Sequence, residues 1–353
     1  HGGMIQPMHR RLGRLRAPLS VSAPAQAGAR RPGPAGIRAL LALAGLLVAG
    51  AATGQDAPRL ALPIDCTLGR DCYVQQYVDR DPGPGVRDFA CGDLANDGHK
   101  GTDFAVPTAA HMARGVAVLA AAPGTVAAIR DGMPDARQGR PGAPDVTGVE
   151  CGNGVRIDHG GGWETQYCHL RAGSVKVAPG DVVAAGDRIG FVGLSGEASF
   201  PHVHVVLRNS GRVVDPFRPG PGCGGTADAL WQTPVAYDPG GPIAAGLAGG
   251  IPAYDAVKAG LARDGIGAES EAVVLWTFLA NGRAGDRVRL EIAGPDRPAD
   301  THTVVLEKDQ PLLMRAFGRR TPGGPPPGPW QAEVIHLRDG AAIGRRTVTA
   351  EVP

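Results

Sequence analysis

The stretch Pro201-His-Val-His-Val-Val-Leu207 decides how the rest of the chain is read. In an extended strand residues i and i+2 share a face, so His202 and His204 project side by side while Val203 and Val205 point the other way, into a core. Pro201 before the pair and the apolar run after it suit a strand. Two imidazoles on one face are half of a metal site, and also a common pattern on any exposed strand. Partners are therefore needed from elsewhere. About a hundred residues upstream, His99-Lys-Gly-Thr-Asp103 offers an imidazole and a carboxylate four apart. Asn96-Asp-Gly98 and Gly101 favour a loop entering the strand Phe104-Ala-Val106 over a helix. Between the two stretches, Tyr167-Cys-His-Leu170 adds a third element with an imidazole at His169. Two histidines and a carboxylate are a common zinc set with one position left open for water.

The surroundings predict a mainly β protein. From 91 to 222 short apolar runs recur between Gly, Pro and Asp turns: 116–120, 126–129, 155–158, 165–168, 182–183, 189–192 and 203–207. That spacing is the pattern of an antiparallel β domain. Residues 131–149 have no periodicity and read as a long loop bordering the site. Residues 55–90 read as a lead-in wrapping onto this domain, and 223–268 as a Pro/Gly-rich linker with a helix-like patch at 253–262. Six further strand-like runs in 269–353 (272–279, 286–292, 303–307, 312–317, 331–337 and 347–352) suggest an Ig-like β-sandwich. It holds only His302 and His336 and no catalytic cluster, which points to an accessory role.

The formal charge of +2 hides an asymmetry. Residues 1–54 carry seven arginines and no acid, leaving 29 basic against 34 acidic residues, or −5, in the remainder. Nucleic acid is therefore not an expected partner, because phosphate binding needs a basic surface. The basic stretch precedes the apolar run 39–49 and the small residues 50–54, the layout of a secretory signal peptide. The run is too short for a membrane span, which takes roughly 20 residues, so no stable membrane insertion is expected after cleavage. Export to the periplasm, the cell envelope or the extracellular space of a bacterium is the expectation. All six cysteines lie beyond this leader and read as disulfides. Fifteen pairings are formally possible; Cys66–Cys72, Cys151–Cys168 and Cys91–Cys223 are the set expected from closeness, facing strands and elimination.

Taken together, His99-x-Gly-x-Asp103, Tyr167-x-His169-Leu170, His202-x-His204 and Val214-Asp-Pro216, in this order, resemble the lysostaphin/LytM-type zinc endopeptidases, peptidase family 23. The intervening Ala121-Ala-Pro-Gly-Thr-Val126, the run 154–159 and the run 180–193 match that family's turns, so the resemblance covers roughly 88–217. It implies an antiparallel sheet crossed by a catalytic groove, one Zn²⁺ held by His99, Asp103 and His204, and an unligated pair, His169 and His202, beside the zinc-bound water. It also implies hydrolysis of peptides in bacterial peptidoglycan. Family members with broken ligand sets are silent wall-binding or amidase-activating modules, which is the alternative reading here. His159 matches no catalytic position and reads as structural or groove-lining; Trp163 and Tyr167 read as core or groove; His111 carries no site argument.

Overall fold

The computed structural model describes residues 56–353 apart from 227, 263 and 264. The proposed signal peptide falls outside the described residues. The first half of the described chain contains β1 (Tyr73–Gln76), β2 (Thr102–Ala105), α1 (Ala109–Arg114), β3 (Ala117–Leu119), β4 (Gly124–Arg130), β5 (Asn153–Gly160), β6 (Trp163–Leu170), β7 (Val182–Val183), β8 (Arg188–Phe191), β9 (His202–Asn209) and β10 (Arg212–Val214). Eight of these strands form one sheet in the order β1-β2-β9-β6-β5-β4-β7, with β10 pairing the far half of β9. Every pairing in it is antiparallel. β3 and β8 pair separately.

Period-two alternation sorts the two faces of this sheet. Val203, Val205 and Leu207 of β9 point into a core with Phe104, Val126, Ile157 and Tyr167, all buried. The opposite face, carrying His202, His204, Cys168 and Asp103, is left for the site. Residues 56–90 take part in this domain directly. β1 is the edge strand of the sheet, and Leu60, Ile64, Val74 and Tyr77 belong to its core. Tyr77 packs among Phe89, Phe217 and Tyr237 with ring centroids 5.1–5.2 Å away. Arg80 closes the segment onto the domain's end through an ion pair with buried Asp215 at 3.1 Å. The three disulfides are Cys66–Cys72, Cys91–Cys223 and Cys151–Cys168. No free cysteine remains.

The second half contains β11 (Gly241–Ala248), α2 (Tyr254–Ala259), β12 (Ala272–Gly282), β13 (Arg287–Gly294), β14 (Arg297–Val305), β15 (Gln310–Arg320), β16 (Gly328–Arg338) and β17 (Ala341–Val352). A three-stranded sheet, β11-β12-β15, faces a four-stranded one, β14-β13-β16-β17, over a core of Val273, Leu275, Leu290, Trp330 and Val334. All six expected runs are strands. A seventh, β11, lies inside the stretch read as linker. Its sequence, Gly-Pro-Ile-Ala-Ala-Gly-Leu-Ala, has neither alternation nor β-branched bulk beyond Ile243, so only its pairing with β12 defines it as a strand.

The sandwich is not tethered loosely. Tyr73 and Ala105 of the first sheet share an apolar cluster with Ile243, Val257, Trp276 and Phe278, with Phe200 packed at its margin. Gln75 and Asn281 exchange hydrogen bonds across the same seam: Gln75 Nε2 donates to Asn281 Oδ1 at 2.9 Å, and Asn281 Nδ2 to the Gln75 carbonyl at 3.3 Å. Each fully buried large side chain stabilises by about 1.5–3 kcal/mol. The exposed pair Arg140–Asp255 is screened by solvent and adds little. Apolar burial therefore holds the two halves together.

One buried polar knot fixes the sandwich end. Asp286 accepts from His336 Nε2 at 2.8 Å and from Arg338 Nε and Nη2 at 3.0 and 2.8 Å. Arg338 also donates to the carbonyls of Pro239 and Asn281. Burial alone would raise the Asp286 pKa, but the Arg338 guanidinium and the hydrogen bonds outweigh it and hold the carboxyl below its usual value. Removing one partner of such a buried pair costs about 3–5 kcal/mol, because the other charge is stranded. Asp286→Ala should lower the urea midpoint accordingly. The depressed pKa makes this contribution fully present above the unfolded-state value, near 4, and lost as pH falls through the folded value. The gap between wild type and Asp286→Ala, measured by denaturation at stepped pH, should close below about pH 4.

Candidate metal centre and groove

The site is assembled by strand register. β2 pairs with β9 so that Asp103 lies opposite His204 and Ala105 opposite His202, while β6 sets Cys168 opposite His204. Asp103 and His204 therefore meet on the same sheet face. His99 arrives from the loop before β2, which is pinned by Asp79: its carboxylate accepts from the backbone N–H groups of Asp81, Arg87 and Gly98. Gly101 is the reason the loop can close. A Cβ there would lie 2.5 Å from the Val205 carbonyl oxygen and 2.7 Å from the His204 ring.

The nearest approaches converge on one oxygen. Asp103 Oδ1 is 2.7 Å from His204 Nδ1, 3.2 Å from His99 Nε2 and 3.7 Å from His202 Nε2. One ligand atom from each of His99, Asp103 and His204 can be chosen so that all lie within 4.8 Å of one another. His99 Nδ1 donates to the Tyr77 carbonyl at 2.6 Å, which turns its Nε2 toward Asp103. Two imidazole nitrogens and a carboxylate oxygen, oriented in this way, fit a zinc ion. The only other such group among the described residues, Cys66, Asp71 and Cys72, is closed by its disulfide.

His169 and His202 stand beside this group. His169 Nδ1 donates to the Ser195 carbonyl and His202 Nδ1 to the Phe200 carbonyl, each at 2.8 Å, so both turn Nε2 away from those carbonyls. Their ring centroids are 4.7 Å apart. His169 adopts φ +64°, a conformation uncommon for a non-glycine residue, one position after the Cys151–Cys168 bridge; its own N–H donates to the Cys151 carbonyl. Phe200 stacks on His202 at 4.4 Å.

The electrostatics divide the histidines. For His99 burial opposes the charged form, yet the Asp103 carboxylate and its hydrogen bond prevail and lift the pKa to about 9. Asp103 is itself buried, but the imidazoles of His99, His202 and His204 keep its carboxyl well below the ordinary value. Burial, followed by the neighbouring imidazoles of His202 and His204, pushes His169 down to about 3. Burial lowers His202 as well. Both are neutral near pH 7.

All five residues singled out in the sequence meet at this one place. Of the others, His159 is structural: its ring bonds to the Pro123 carbonyl at 2.7 Å and to the Thr165 hydroxyl at 2.8 Å. Tyr167 is fully buried, its hydroxyl accepting from the Ala121 N–H, and does not line the groove. Trp163 packs against the core, and His111 sits in α1. The sequence did not reveal Phe200, Ser195 and Asn153, which support the site through the backbone. Ser195 Oγ donates to the Leu170 carbonyl and accepts from the Asn153 N–H, and Asn153 Nδ2 reaches Leu170 and Met133. The loop 131–149 does border the site: Gln138 and Gly139 line a groove of about 710 Å³ together with His99, His169 and His204.

Residues 97–216 match the model of Peptidase family M23. The resemblance read from the motifs thus holds for that segment. A curated relative, "DD-carboxypeptidase/endopeptidase Mpg" of Neisseria meningitidis serogroup B, is 36% identical over 118 residues, covering 33% of this chain and 22% of that protein. "Peptidoglycan DD-endopeptidase ShyA" of Vibrio cholerae is 34% identical over 117 residues, with the same shares. The match therefore spans about a fifth of the length of these relatives. Among solved structures, the catalytic domain of the prophage-encoded M23 protein EnpA from Enterococcus faecalis is similar at 24% identity and a TM-score of 0.29, covering 45% of this chain and 94% of that one. The catalytic domain of lysostaphin from Staphylococcus simulans is similar at 22% identity and a TM-score of 0.26, covering 40% and 85%.

The Gly101 contact yields a direct check. Gly101→Ala must push the Val205 backbone or the His204 ring aside, and overpacking of this kind costs about 1–3 kcal/mol. The variant should unfold at lower urea than wild type and show a shifted His204 imidazole resonance.

Proposed function

We propose that this protein is an exported, zinc-dependent endopeptidase that hydrolyses peptide bonds in bacterial peptidoglycan, in its cross-links or stem peptides. The observation that carries the reading is the convergence of His99 and His204 on the Asp103 carboxylate, with two neutral imidazoles beside it in an open groove. The named activities of the M23 relatives support the substrate class. Three disulfides and no free thiol support an oxidising compartment, hence export.

His99 Nε2, an Asp103 carboxylate oxygen and His204 Nδ1 would hold the ion. Bound zinc supplies a water acidified toward pH ~7 and a Lewis acid for the scissile carbonyl. The chain's own residues do the rest. His169 and His202, neutral and each held by a backbone carbonyl at Nδ1, offer Nε2 as a proton acceptor for the attacking water. The imidazolium so formed can return the proton to the leaving amine. Desolvation keeps both imidazoles free of a proton at neutral pH.

Two variants separate binding from turnover. His204→Ala should lose zinc, measured by metal analysis after dialysis, and lose muropeptide release with it. His169→Ala should retain one zinc per chain while turnover falls by about 10²–10⁴-fold. Active, zinc-free His204→Ala protein would overturn the ligand assignment. A wild-type protein that binds peptidoglycan but releases nothing, with or without chelator, would instead identify a silent wall-binding module.

A further inference from the structure

Strict alternation along β6 cannot deliver both Cys168 and His169 to the site. Tyr167 is paired with Val205 and faces the core, while Cys168 is paired with His204 and faces the site. The next side chain, His169, should point back into the core, and Leu170 out of it. Instead Leu170 is fully buried in the core, and the His169 ring lies 4.7 Å from that of His202. The register explains the exchange. Asn153 pairs with Leu170 and Val155 with Tyr167, so two steps along β5 are matched by three along β6. The strand β6 holds one extra residue, a β-bulge, and His169 takes it up at φ +64°.

Such a bulge persists only where its surroundings over-determine it, because positive φ crowds any side chain that has a Cβ. The segment 150–153 is the frame that does so. Its Cys151 carbonyl accepts the His169 N–H at 2.8 Å. Its Glu150 carbonyl accepts from the Glu197 N–H, and its Asn153 N–H donates to Ser195 Oγ, which holds the Ser195 carbonyl where His169 Nδ1 donates. Gly152 permits the fit: a Cβ there would lie 2.5 Å from the Ser195 carbonyl carbon. The Cys151–Cys168 bridge is the covalent tie between this frame and the bulged strand. Without it the end of β6 is free to slip by one residue against β5, and such a slip turns each side chain to the other face. We propose that Cys151 and Cys168 are positioning residues: their bridge locks the bulge that presents His169 to the groove, and turnover depends on it while metal binding does not. This rests on the peptidase reading above. The metal group stands outside the bulged unit, with His99 and Asp103 on β2 and the loop before it and His204 on β9. Neither of the other two bridges lines the groove, whereas Cys151 and Cys168 both do.

The test uses the zinc-loaded full chain and cross-linked muropeptide dimers. Cys151→Ala/Cys168→Ala should keep its zinc and an unchanged KM, while kcat falls at least about tenfold, within the roughly 10²-fold that a misplacement of about 1 Å can cost. His169→Ala supplies the discriminating background: added to it, the alanine pair should lower kcat no further, because both changes act through one imidazole. The control Cys66→Ala/Cys72→Ala should leave the kcat of the folded protein unchanged. Where the alanine pair does not fold, Cys151→Val/Cys168→Ala refills the space of the sulfurs and takes the same readings. Unchanged kcat in the bridge variant, loss of its zinc, an equal fall in the control, or losses that multiply with His169→Ala each overturn the proposal. If wild type cleaves no dimer, the peptidase reading fails, and hydrogen exchange at the His169 amide decides the bulge separately. Exchange at least about tenfold faster in the bridge variant then supports the lock, and unchanged exchange rejects it.

Discussion

A carboxylate almost wholly out of water, Asp103, is the constraint on which the site depends. Left unpaired, such a group would neutralise itself or melt its surroundings. Here three imidazoles face one of its oxygens within 3.7 Å. Each imidazole is in turn held by something else: His99 by the Tyr77 carbonyl, His202 by the Phe200 carbonyl, and His204 by its place on β9 opposite Asp103. The network explains why the lead-in belongs to the domain. Tyr77, which supplies a carbonyl to His99, is also the centre of the aromatic cluster that closes the core. The histidine–carboxylate group and the core thus lean on the same residue.

The sandwich enters the same chain of dependence from the other side. Phe200 contacts the apolar seam between the two halves and stacks on His202. Ala105, opposite His202 in the β2–β9 register, is buried in that seam too. Packing from β11 and β12 therefore reaches a groove histidine through one intervening side chain. A domain attached this way supports the groove from behind. Its own buried knot, Asp286 with His336 and Arg338, reaches back through Arg338 to Pro239 at the start of the sandwich.

Much of this could be read before any coordinates. Most strands of the first sheet follow from short apolar runs between turns, and the set of five site residues from the family resemblance that the ordered motifs carry. The three disulfides came from closeness and elimination. What escaped the sequence has a common physical cause. β11 is made of small residues whose strand state is imposed by its neighbour. Phe200, Ser195 and Asn153 act through carbonyls, amides and ring stacking that any number of residue types could provide locally. Tyr167 looked equally suited to core or groove, since an aromatic ring on a strand carries no mark of its face until the register is known. Residues 55–90 lacked periodicity because they contribute single anchors and one four-residue edge strand.

The pairing of β2 with β9 has a consequence for when the chemistry can exist. Asp103 and His204 are separated by 101 positions, and the intervening chain must be folded back before they can touch. Closing so long a loop has an entropic cost that nothing local repays, so contacts of this span form late, after the hairpins β4–β5 and β5–β6 have condensed. A chain still being synthesised, or threaded unfolded through a membrane, holds the separate pieces of the centre and none of its reactivity. Topology by itself delays assembly of the centre until folding is nearly finished.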